Sequence, residues 1–192
     1  MSLSDRLRKR IAAVEERWLG DALATYPEGA RDAFRRQRDP FANPVGHALR
    51  VAMHAVMEGL VDGRDAGEIC ASLDEVIKIR AVQEFLPSQA LAFVFLLKEA
   101  IRAELGSDEQ GPAFSLQWDN LQRQIDQVAL VAFDAYMHYR GQVSELRINE
   151  VKRSVAAIVQ RLNRGSHPPQ SDEELLTMAT STCTEVQRGG GQ

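Results

Sequence analysis

Acid–base or metal chemistry in this 192-residue chain would fall first to its four histidines, His47, His54, His138 and His167, and their spacing does not assemble them. None forms the i, i+4 pair of a helical zinc motif. His47 and His54 stand two helical turns apart with Glu58 one turn beyond, so they can share a helix face, but no third ligand follows at a metal-binding spacing. A single axial histidine, His54 or His138, is the remaining route to haem, and one ligand does not define such a site. The glycines from Gly59 to Gly67 come without a lysine or a preceding strand, so they do not read as a phosphate loop. Neither Cys70 nor Cys183 has a histidine close in sequence; Cys70 falls where a small buried hydrophobe fits, and Cys183 falls in a polar tail. No nucleophile, general base or general acid is set against another, so the chain is expected to be no enzyme and to carry no metal or cofactor.

Two polar clusters remain. Arg31, Arg35, Arg36 and Arg38 gather around the end of the second predicted helix and read either as a site for an anion or acidic partner or as a solvated face. Arg80, Gln83, Gln89 and Lys98 flank the most apolar part of the chain, where polar groups must find partners. Those partners are either a small molecule held between helices or interhelical bonds that fix packing.

The elements that would position these groups are all helical. Leu3, Leu7, Ile11, Val14, Trp18 and Leu23 recur at mostly three and four residues, predicting an amphipathic helix over 3–24. Thr25 with Glu28 has capping-box spacing and opens a short second helix to about Gln37. Asn43 is placed to cap a third helix with Pro44 at its first position, running to about Leu60. Asp65 and Glu68 open a fourth, carrying Ile69, Leu73, Val76, Ile77 and Arg80 and ending before Pro87. From Pro87 to Leu105 the apolar residues leave almost no polar side, which predicts a central, nearly all-buried helix. From about Ala113 to Arg164 there is no proline and only Gly141, so one very long helix is predicted. Within it Trp118, Leu121, Ile125, Val128, Ala132, Ala135 and Tyr139 repeat at three and four residues, and so do Ile148, Val151, Val155, Ile158 and Leu162. The two series are offset in phase across Gly141 to Arg147. The offset lets the first half pack into a domain while the second pairs elsewhere, or unwinds a coiled coil locally; alternatively both stripes line one bundle core. Ser171 to Glu174 could cap one short further helix, and Gly189 to Gln192 should be disordered.

Composition narrows the class. Hydrophobic residues at 44% and charged residues at 26% are ordinary globular values. A net charge of -4 gives no global field for nucleic acid or an anionic membrane, so neither is expected as a partner. The longest apolar run, Ala90 to Leu97, falls short of the roughly 20 residues that span a bilayer. The basic start lacks a following apolar stretch, so no secretory signal is read and the cytoplasm is the expected compartment.

Asn43-Pro44-Val45-Gly46, the run Ile79-Arg80-Ala81-Val82-Gln83-Glu84-Phe85-Leu86-Pro87-Ser88-Gln89-Ala90-Leu91 and the following Phe93 to Lys98 resemble the N-terminal domain of RsbRD, a co-antagonist of the kinase RsbT in bacterial stress signalling. The likeness covers about residues 10 to 105. It implies a helical sensory module, and kinship with globin-like dimers that hold no haem implies a similar helical homodimer. Arg80, Gln83, Pro87, Ser88 and Gln89 match the family's block and, with Lys98, are the candidate ligand or partner contacts. Because a long helix and a polar tail follow where the family usually continues into a STAS or kinase domain, a free-standing sensor acting through a regulatory protein partner is expected. The resulting organisation is an all-α helical sensory domain over 1–140, a coiled-coil-like extension over 141–164 and a largely disordered polar tail over 165–192. Ile148, Val151, Val155, Ile158 and Leu162 are the expected dimer or partner helix.

Overall fold

The structure, a computed structural model, describes residues 2–37, 39–83, 85–106 and 112–165, with side chains described as far as Asn163. It is all-α among the described residues: α1 (Leu3–Leu23), α2 (Glu28–Arg36), α3 (Pro44–Asp62), α4 (Ala66–Ala71), α5 (Asp74–Val82), α6 (Pro87–Leu105) and α7 (Pro112–Gly165). Of the predicted tail, Gly165 is the last residue of α7, and residues 166–192, with His167 and Cys183, lie outside the described residues, as does Arg38. Two compact units divide between Ser144 and Glu145.

In the first unit, α1 is the central helix and packs against α6 and α3. Its predicted stripe is the reason: Leu3, Leu7, Val14, Trp18 and Leu23 are buried and Ile11 is half-buried against the core. Trp18 stacks on Phe93 of α6 with ring centroids 6.2 Å apart, and its indole N–H donates to the Phe93 carbonyl. That bond satisfies the one polar atom of a large buried side chain.

The helix ends follow capping chemistry, with two departures from the sequence reading. Thr25 does not cap α2; its hydroxyl donates to the Ala22 carbonyl at 2.7 Å and so closes α1, while α2 begins after Pro27 with no side-chain cap. The predicted fourth helix is two, α4 and α5. At Ser72 and Leu73 the chain tightens, with Ser72 N–H donating to Ile69 at 3.1 Å and Leu73 N–H to Cys70 at 2.8 Å. Asp74 and Glu75 then favour a new helix N-terminus by opposing its dipole. Asn43 and Asp65 do cap α3 and α4, accepting from Gly46 N–H and Glu68 N–H.

α6 is not buried all round. Ala90, Phe93, Val94, Leu97, Ala100 and Ile101 enter the core, but Phe95 is 49% exposed and Leu96 is half-buried. In α7, Trp118, Leu121, Ile125, Val128 and Ala132 are buried as the first stripe predicts. Ala135 and Tyr139 are only half-buried, and the fully buried place at that end belongs to Tyr136.

In the second unit every described side chain from Glu145 to Asn163 is exposed, including Ile148, Val151, Val155, Ile158 and Leu162.

Candidate functional site

Three features of the first unit bear on function: a polar junction around Arg80, an apolar groove between α6 and α7, and a polar cleft between α1 and α3.

Arg80 is fully buried. Its Nη1 donates to the carbonyls of Ala90 and Gln89 at 3.0 and 3.3 Å, which pins the first turn of α6 to α5. The guanidinium lies 4.6 Å from the Phe93 ring centroid, 5.1 Å from Tyr26 and 5.4 Å from Phe85. No carboxylate faces it among the described residues, and Nε and Nη2 have no hydrogen-bond partner. Three aromatic faces and two carbonyls thus stand in for a counter-ion, and burial lowers its pKa from the usual arginine value. Around it, Gln89 caps the Leu86 N–H through its side-chain oxygen at 3.3 Å, and Gln83 accepts from the Tyr26 hydroxyl at 3.4 Å. From α7, the Tyr136 hydroxyl donates to the Phe85 carbonyl and Arg140 donates to the Ala81 carbonyl at 3.1 Å. The α5–α6 turn is therefore held on both sides.

The other sequence block is held as tightly. Asn43 is buried and donates to the carbonyls of Phe34 and Gln37, both at 2.7 Å, while its side-chain oxygen accepts from Gly46 N–H at 2.8 Å. A Cβ on residue 46 would come within 2.2 Å of the Asn43 amide nitrogen and 2.7 Å of the Phe34 carbonyl, so only glycine permits this approach of α2 to α3.

These observations fit the family whose description is the RsbT co-antagonist protein rsbRD N-terminal domain, which matches residues 12–151. The chain belongs to that family. The match extends past the block read from the sequence and through Val151, so it takes in much of α7. No curated protein and no solved structure matches the chain. In this RsbRD N-terminal domain the Asn43 and Arg80 stretches of that resemblance each bind helix ends together.

The six candidate contacts separate accordingly. Arg80 and Gln89 serve the junction, with the exposed Gln83 at its edge. Pro87 and Ser88 line the groove with Leu86, Leu91, Phe95 and Leu130. Lys98 instead pairs with Asp126 of α7 at 2.6 Å. The groove is open, with a volume of about 840 Å³. Phe133 at 45% and Leu130 at 67% exposure contribute to it from α7. Sequence reading missed that face, although Leu130, Phe133 and Met137 repeat at three and four residues between the members of the buried stripe.

His54 Nδ1 lies 2.8 Å from Glu15 and Nε2 lies 3.5 Å from Glu58; the Glu15 hydrogen bond, with that carboxylate's charge, raises its pKa. His47 is exposed in the α1–α3 cleft with Glu15, Glu16 and Arg50. His138 is exposed on α7 beside Gln142. Among the described residues no group of three or more histidine, cysteine or acidic side chains is placed to hold a metal. Burial pushes the Cys70 thiol up to about 11, so it stays protonated and unreactive at neutral pH. The arginine cluster is dispersed: Arg31 donates to the Tyr26 and Ala24 carbonyls at 2.6 and 2.8 Å, Arg35 pairs with Glu16 at 3.5 Å, and Arg36 pairs with Asp32 at 3.3 Å. No described helix is long and apolar enough to cross a membrane.

Proposed function

We propose that this chain is a non-catalytic regulatory module that passes on its state through protein–protein contact. The observation that supports the reading most is the terminal part of α7, where Ile148, Val151, Val155 and Ile158 stand 50–62% exposed at heptad spacing. Aliphatic seams of this kind are kept on soluble surfaces where another chain covers them. Membership in a family of co-antagonist N-terminal domains supports a regulatory role in the same way.

The groove between α6 and α7 is the surface we assign to homodimerisation. Its lining is almost wholly apolar, with the Ser88 hydroxyl the exception, which suits a second protein face better than a small molecule that needs several convergent polar groups. Light scattering on the full chain should give a dimer that Phe133→Asp converts to a monomer; a strict monomer at high concentration contradicts the assignment. A second reading is favoured by the groove's volume of about 840 Å³, which is within the range that holds a small apolar ligand. It predicts a raised melting temperature with an apolar metabolite and no change in mass with concentration.

A further inference from the structure

The exposed seam in the second unit has flanks of one sign. Ile148, Val155 and Leu162 occupy one seam position and Val151 and Ile158 the other. The positions bordering that seam are held by Arg147, Lys152, Ser154, Val159 and Arg161, with no acidic residue among them. Glu150 falls on the side away from the seam, and Glu145 precedes it. The contrast with the rest of the chain is a change of sign. Acidic residues outnumber basic ones 21 to 17 over residues 1–144, whereas over 145–163 basic residues outnumber acidic ones four to two.

Flanking charges set partner choice in paired helices. If two copies of this segment paired, a flank would meet only basic or uncharged counterparts, whichever direction they ran. Parallel pairing sets Arg147 opposite Lys152, and antiparallel pairing sets Arg147 opposite Arg161. Like charges so placed oppose association and exclude wrong partners. The seam is also wholly aliphatic and mostly β-branched, with no tryptophan or phenylalanine, which suits helix pairing better than the headgroup layer of a membrane.

We propose that residues 147–162 dock an amphipathic helix of a different protein, one whose aliphatic seam is bordered by glutamate or aspartate. The proposal rests on the reading of this helix as a contact surface and names the chemistry of its partner. Lys152 and Arg161 select, and the aliphatic seam supplies the burial.

The test uses the full chain and two labelled synthetic helical peptides that share an aliphatic heptad seam, one bordered by glutamate and one by lysine. Anisotropy at low salt should show the glutamate peptide binding at least about tenfold more tightly, with the difference shrinking as salt screens the charges. The double variant Lys152→Glu/Arg161→Glu, altered only at exposed positions, should reverse the preference. Val155→Asp should bind neither peptide while retaining the wild-type helical circular dichroism. Equal binding of both peptides overturns the charge selection but leaves the contact surface standing. Binding of neither peptide, with wild type and Val155→Asp alike in every assay, overturns the contact surface as well. Two other results overturn the proposed partner: a wild-type dimer abolished by Val155→Asp assigns the seam to a second copy, and binding to phosphatidylserine vesicles but to neither peptide assigns it to a membrane surface.

Discussion

In the first half of α7, Ile125, Val128 and Ala132 are at most 1% exposed, and polar side chains tie the helix to its neighbours. Gln124 donates to the Arg64 carbonyl at 2.6 Å, Lys98 pairs with Asp126 at 2.6 Å, and the Tyr139 hydroxyl donates to Asp74. In the second half, residues of the same type at the same spacing stay exposed: Val151 is 62% and Val155 53% open to solvent. Hydrophobic periodicity thus reports that a face is available for burial, and the flanking polar residues report what buries it. Asp126 and Tyr139 have partners within the domain, whereas Lys152 and Arg161 border a seam of one charge.

The largest effect that tests this contrast is a pair of truncations. Ile125→Ala should destabilise the chain by about 2–5 kcal/mol in urea unfolding, because it removes buried methylenes and leaves a cavity. Val155→Ala should change monomer stability by no more than about 0.5 kcal/mol. Comparable losses at the two sites would erase the distinction between the halves.

Next in size is the contact that closes the α2–α3 turn. Gly46→Ala should cost about 1–3 kcal/mol, since the new methyl must displace the Asn43 amide or the Phe34 carbonyl; thermal unfolding would show it, and an unchanged melting temperature would mean the approach is looser than the geometry requires.

Arg80 separates a buried charge from a buried shape. Arg80→Met keeps the bulk and removes an ion without a carboxylate, so its stability should stay within about 1 kcal/mol of wild type or exceed it. Arg80→Lys keeps the charge but loses the planar face that three rings surround, and it should be the less stable of the two by about 1–3 kcal/mol.

The smallest effect is electrostatic. Hydrogen bonding to Glu15 raises the His54 pKa, so the stabilisation is fully present below the ordinary histidine value near 6.5 and is lost as pH rises through the higher folded value. His54 is more than half exposed, and solvent screening holds the effect to a few tenths of a kcal/mol. His54→Gln should remove that pH dependence from chemical-denaturation curves.

Much of the architecture was legible because it rests on local rules. The stripe of α1, the Asn43 and Asp65 caps and the proline-free length of α7 each state their own structure. The break between α4 and α5 was not, since Ile69, Leu73, Val76 and Ile77 keep helical spacing through it and only Asp74 and Glu75 mark the restart. The openness of α6 was hidden for a related reason: Phe95 and Leu96 have the same character as the buried Phe93 and Leu97. The candidate residues stand in the sequence as a block, but where their side chains go depends on chain reversal. Arg80 meets the Gln89 and Ala90 carbonyls only because α5 and α6 turn back on each other, and no spacing rule announces the Tyr136 clamp on Phe85 from far along the chain.

Peptide-resolved amide hydrogen exchange on the full chain tests the central claim most directly, because local opening follows how many buried contacts hold a segment. In the free protein, residues 118–139 should exchange only with global unfolding and residues 148–162 should exchange much faster; adding the glutamate-flanked peptide should slow the second segment alone. Equal protection of both segments in the free chain, unchanged by the peptide, would contradict the assignment of the terminal helix as a contact surface.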